Sequence, residues 1–192
     1  LQRIVQLVAE RAPRALAILA LLDQRSRSMA AARLTCMKPL LTAPFRLTVQ
    51  QIFSGTGTLD LSRRALRSEH MEVLGGALVS GALSDLKHLH LHDNQIGDIG
   101  MRALAGAVSM GALASLESLV LRSNAIGDDG MSALASACAS GALPNLQRLT
   151  FGDIFGGNNI RDEGVKALAD ALSMGALDDL TVCWRLAALF PC

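Results

Sequence analysis

The chain has 192 residues, a length for one domain or a domain with an appendage. Hydrophobic residues make up 51% of it, aromatic residues only 3%, and there is no Tyr, so Ala and Leu must carry the core through close packing rather than through large rings. A formal net charge of +1 gives no electrostatic case for nucleic acid or for an anionic membrane surface. Cys36, Cys138, Cys183 and Cys192 show neither a metal-ligand spacing nor a small disulfide framework, which points to a reducing compartment and a cytoplasmic location.

Residues 1–50 do not repeat. Residues 2–10 and 14–24 have helical patterns separated by Pro13, and residues 30–37 form another short helical piece before Pro39 and Pro44. The apolar run 15–22 is shorter than the roughly 20 residues that span a bilayer. Ile4 with Val8, and Ile18 with Leu21 and Leu22, give buried faces at helical spacing, so this segment is expected to be a helical lead-in or cap. The chain opens on Leu rather than Met, so it is expected to be part of a longer chain whose start, and any targeting signal, lie upstream.

From Leu59 a register of about thirty residues sets in. Leu59 and Leu61 align with Leu89 and Leu91, then Leu119 and Leu121, then Leu149 and Phe151. A second phase follows each time at i, i+3, i+7: Met71, Leu74, Leu78; Met101, Leu104, Val108; Met131, Leu134, Cys138; Val165, Leu168, Leu172. The apolar period switches from two to 3.6 inside every unit, which predicts strand then helix. Asp98, Asp128 and Asp162 stand where a carboxylate caps the helix that follows it. Gly81, Gly111, Gly141 and Gly175 follow each helix, where a left-handed residue is wanted, and each opens a Gly-Ala-Leu whose Leu is expected to tuck under the turn. Parallel strands joined by wider helices bend the stack, leaving strands inside and helices outside. The fold expected is an α/β solenoid of about four units over residues 51–180, followed by a divergent tail, 181–192.

The motif LxxLxLxxNxIGDxGMxALAxA, present over residues 86–107 and 116–137, resembles the leucine-rich repeats of the ribonuclease-inhibitor-like class. Resemblance covers residues 56–180 and implies a horseshoe that binds proteins through its concave face and strand-end loops. Members of that class include inhibitor proteins, sensing regions of nucleotide-binding immune receptors and activators of a nuclear-transport GTPase. It also implies that Asn94, Asn124 and Asn158 face inward and bond the backbone of neighbouring turns. The chain departs from the pattern in places. Arg64 and His70 replace the Asn and Gly of the first copy, four extra residues interrupt the third at 154–157, and Cys183 and Arg185 stand at Leu positions in the last.

His88, His90 and His92 alternate with leucines and so share the concave face. A plain binding surface, pH-sensitive partner binding and a metal site completed by Asp60 are the readings open to them; the spacing is unlike the short-range zinc patterns, and no metal is assigned. By register the same face carries Thr58, Asp60, Ser62, Arg63, Asp93, Ser118, Val120, Arg122, Ser123, Arg148, Thr150 and Asp153, among which Arg122 and Arg148 are the candidate hot spots. Phe155, on the glycine-flanked insertion, is a candidate anchor at a strand-end loop. There is no aromatic platform or basic track for nucleic acid. Nor is there a GxSxG, HExxH or phosphate-cradling loop, so neither catalysis nor a cofactor is expected. The function expected is binding of a protein partner. The alternative is a GTPase-activating regulator of the same architecture, for which Arg63 or Arg64 would supply the exposed group.

Overall fold

The computed structural model describes residues 57–81, 83–152 and 157–173, together with the backbone of 181–183. The helical lead-in expected over 1–50, the insertion residues 154–156 with Phe155, Asp153, Gly175 and most of the C-terminal tail lie outside the described residues.

Strand and helix alternate strictly. The order is β1 (Thr58–Asp60), α1 (Ser68–Val79), β2 (His88–His90), α2 (Gly97–Ser109), β3 (Ser118–Val120), α3 (Asp128–Ala139), β4 (Arg148–Thr150), α4 (Asp162–Ser173) and β5 (Thr181–Cys183). All pairings are parallel and follow sequence order, so each unit lies beside its predecessor. Leu59, Leu89, Leu119 and Leu149 form one row across the sheet. These leucines, with Leu61, Leu91, Leu121 and Phe151, are buried against the helices. Each helix of α1–α4 packs on the next, and their stripes of Met, Leu and small residues fill the space between layers. Leu83, Leu113 and Leu143 are buried under the turns, and Gly81, Gly111 and Gly141 hold left-handed φ values of 73°, 77° and 72°. No helix among the described residues is long and apolar enough to cross a membrane.

Three details depart from the sequence expectation. Val165, expected in the buried stripe of α4, is exposed. Its counterpart Met71 packs toward Gly100 of the next helix, where an added Cβ would lie 3.0 Å from the Met71 Cγ; no further helix follows α4 among the described residues. In the last copy Val182, not Cys183, sits opposite Leu149, so the pattern runs one residue shorter and the strand at 181–183 extends the sheet.

The third departure concerns the aspartates. Asp98 and Asp128 each cap the neighbouring unit's helix instead of their own. The Asp98 Oδ1 accepts the N–H groups of Gly127 (2.7 Å) and Gly130 (3.0 Å). Asp128 does the same for Arg161 (2.7 Å) and Gly164 (2.9 Å). Helices stacked in parallel bring their amino ends together, and a carboxylate in one first turn reaches the free N–H groups of the next. That reach leaves no room for a side chain on the receiving turn: a Cβ at Gly130 would stand 2.6 Å from the Asp98 oxygen.

The asparagines form the second set of cross-unit bonds. Asn94 Oδ1 accepts from the N–H of Arg64 and of Leu66, each at 3.0 Å. Its Nδ2 donates to the carbonyls of Leu61, Leu91 and His92. Asn158 repeats the pattern on Asn124 N and Ile126 N, and on the Leu121 and Phe151 carbonyls. Asn124 keeps its three donor bonds to Leu91, Leu121 and Arg122, but its Oδ1 is buried without a partner. The turn of the second unit explains this. The first and third units place two left-handed residues there, Arg63 with Ala65 and Ser123 with Ala125. The second uses Asp93 and Gly97. Its Asn94 N–H consequently donates to the Ser123 carbonyl and its Gly97 N–H to the Asn124 carbonyl, turning the expected donors away from Asn124 Oδ1.

Two stability outcomes follow. Asn124→Ala strands buried carbonyls and lowers the unfolding midpoint by about 1–3 kcal/mol of stability, and Asn94→Ala, which severs bonds on both amide atoms, costs more; an unchanged midpoint in chemical denaturation contradicts the ladder. Asp98→Ala costs about 0.5–2 kcal/mol, and its effect in amide hydrogen exchange falls on the first turn of α3 rather than of α2.

Candidate functional site

Parallel register places one strand-face position of each unit in a transverse row. Thr58, His88, Ser118 and Arg148 make one row, and Asp60, His90, Val120 and Thr150 the next. The ladder continues past the strands: Leu61 N–H donates to His90 O (2.8 Å), Arg63 N–H to His92 O (3.1 Å) and Asp93 N–H to Arg122 O (3.0 Å). Ser62, His92 and Arg122 therefore form a third row. Asp60, His88, His90, His92, Val120, Arg122, Arg148 and Thr150 are brought to the inner face by this register, and Asp93 lies at its rim in the left-handed turn beyond β2. Ser118 shares that face but is 4% exposed, a short side chain between His88 and Arg148 in its row. Phe155 lies outside the described residues.

The three imidazoles stand in line without converging. The His90 and His92 ring centres are 6.3 Å apart and tilted by 50°. Among the described residues no three His, Cys, Asp or Glu side chains are arranged to hold a metal ion. The Asp60 Oδ1 accepts both the N–H (2.9 Å) and the hydroxyl (2.6 Å) of Ser62. Partial burial works against its ionisation, but the Ser62 bonds and the nearby His90 and His92 outweigh it, and the pKa lies below the usual carboxylate value. Burial holds the His90 pKa below its ordinary 6.5; Asp60 pulls it up, and His92 and His88 push it down.

Charge pairs link adjacent units at the rim. Arg63 Nε meets Asp93 Oδ2 at 3.0 Å, and this bond, more than the accompanying Ser123 bond and the nearby His92, lowers the Asp93 pKa. Lys87 Nζ meets Glu117 at 2.8 Å. Both pairs carry opposite charges at a thirty-residue offset, a signal present in the sequence once register is known. Arg63 is thereby engaged, and Arg64 is half-buried above the Asn94 oxygen; the activating alternative had called on these two. Arg122 and Arg148 have no carboxylate partner among the described residues, and Arg122 Nε and His92 Nδ1 are buried without any hydrogen bond. Cys138 is buried on the α3 stripe with its thiol pushed up to about 11, an inert packing residue.

A sequence-family model described as "Leucine Rich repeat" matches residues 82–105, 112–135 and 154–169, which take in β2 and β3 and the larger part of α2, α3 and α4. The chain carries leucine-rich repeats over these residues. Among solved structures it is similar to "Leiomodin-1 Actin-Binding Site 2 (ABS2)", at 18% identity over 73% of this chain and 83% of that one, with a TM-score of 0.54. At that identity the likeness is one of fold. No curated protein matches the sequence. Leucine-rich repeats generally mediate protein–protein interaction.

The His90 environment sets a pH dependence. Its imidazole C–H signals titrate with a midpoint below 6.5, and Asp60→Asn moves that midpoint lower still because it removes the group that favours the cation. The folded state resists this proton more than the unfolded chain does. Stability therefore falls as pH drops from 6.5 toward the depressed midpoint, and His90→Gln flattens that slope. A midpoint raised by Asp60→Asn contradicts this arrangement.

Proposed function

We propose that this repeat array binds a protein partner through its concave strand face and strand-end loops, without catalysis. The observation that supports this most is a division of labour among the repeated units. Leucines, asparagines and aspartates at the repeated positions are committed to stacking. The inner-face positions differ from unit to unit: Asp60, His90, Val120 and Thr150 occupy a single row. Variation within an otherwise repeated scaffold is what a surface shaped for one ligand requires. A solved structure of the same fold is titled for an actin-binding site, so the architecture accommodates a protein ligand.

On this reading Asp60, His88, His90, His92, Asp93, Val120, Arg122, Arg148 and Thr150 form the contact surface, and Phe155 on the insertion adds an anchor. The array works as the recognition part of a longer cytoplasmic chain, a receptor or scaffold, with neither nucleic acid nor membrane as its target.

Capture of partners by the immobilised chain, followed by side-by-side variants, tests this. His90→Ala with Thr150→Ala on the inner face is expected to reduce the retained partner by about tenfold, as loss of hot-spot contacts does. Ile99→Ala on the helix layer, an exposed position, leaves it unchanged. Loss with Ile99→Ala and retention with the inner-face pair would move the contact surface to the helices and overturn the reading.

A further inference from the structure

Charge on the inner face is sorted across the strands. The acidic end is β1, where Asp60 stands with its carboxylate held by Ser62. Asp93, the next acid, is neutralised by Arg63. From there the imidazoles of β2 lead to Arg122 and Arg148, whose guanidinium groups face no carboxylate among the described residues. Arg122 is half-buried, and its Nε is cut off from solvent with no acceptor. A cation taken partly out of water without a counter-ion is destabilised until one arrives, and none comes from the described residues. Arginine also presents a planar fork that matches a carboxylate.

We propose that the β2–β4 half of the inner face docks an acidic segment of a protein partner, with carboxylates seated on Arg122 and Arg148. The proposal rests on the reading that this face binds a protein and names the chemistry of what it binds. Register sets the geometry. Arg148 shares the row of Ser118, and Arg122 lies four residues further along the chain than Ser118, so the backbone positions that carry the two arginines are about 13 Å apart along the strands and one strand apart across them. An extended segment advances about 13 Å in four residues and keeps side chains i and i+4 on one side. Acids at i and i+4 thus reach both arginines, passing over Val120 and Thr150 between them, while Asp60 repels the segment from the β1 end. A nucleic acid offers anionic charge too, but the inner face has only these two uncommitted permanent cations and no aromatic side chain among its described residues on which a base would stack.

The test is a titration of the full ¹⁵N-labelled chain at low salt with a capped peptide of alternating Glu and Ser. Matched Gln–Ser and Lys–Ser peptides and an oligodeoxythymidylate serve as comparisons. The Glu–Ser peptide is expected to shift the β3 and β4 amides and to bind about tenfold more tightly than the Gln–Ser peptide. Arg122→Gln and Arg148→Gln each weaken it by about fivefold to tenfold while the rest of the spectrum stays in place, and Arg102→Gln, on a helix beside Asp129, has no effect. Equal affinity for the Gln–Ser peptide at the same amides overturns the acidic chemistry and leaves protein binding by this face standing. Tighter binding of the Lys–Ser peptide, or no saturable shift with the Glu–Ser peptide, also overturns the proposal. Tighter binding of the oligodeoxythymidylate through the same arginines overturns both it and the protein-binding reading.

Discussion

The structure depends on side chains that reach across to satisfy the backbone of a neighbouring unit. Asn94 bonds Leu61, Arg64 and Leu66, and Asn158 bonds Leu121, Asn124 and Ile126, each spanning roughly one repeat of sequence. Asp98 and Asp128 close the amino ends of the following helices in the same way. A three-residue strand and a helix of twelve or thirteen residues bury too little on their own to offset the entropy of ordering them. Each unit is therefore completed by the next, and the repeated residues are those that do the completing.

That constraint also frees the inner face. Because the leucines and the cross-unit polar bonds carry the stack, the outward positions of each three-residue strand bear no scaffold duty, and neighbouring units fill them differently. Among its described residues this face is acidic beside Ser62 and cationic around Arg122 and Arg148. The second turn shows what the scaffold tolerates. By taking its left-handed residues at Asp93 and Gly97, it leaves the Asn124 oxygen unpaired in the interior, a cost the three remaining Asn124 bonds and the surrounding core offset.

Much of this was legible in the residues. The period switch from two to 3.6 placed each strand and helix, and alternation put the three histidines on one face. What escaped was three-dimensional adjacency. An aspartate ahead of a helix reads as that helix's own cap, and only the side-by-side packing of amino ends shows that Asp98 serves Gly127 and Gly130. The same blindness hid the exposure of Val165, which needs knowledge of what packs after α4, and the burial of Ser118, which depends on its row neighbours. The one-residue shift that seats Val182 beside Leu149 was hidden because Cys183 falls where a rigid count from Leu180 puts a core residue. Charge pairs at a thirty-residue offset were in plain sight but meaningless before the register was known.

Native-state hydrogen exchange tests the coupling of the units most directly. If each unit is completed by its neighbour, the amides of Leu89, Leu119 and Leu149 exchange through one shared opening, with the same free energy and the same dependence on denaturant. Widely separated free energies for the three, with the Leu89 strand opening while Leu119 and Leu149 stay protected, would show that the units stand independently and would contradict the account.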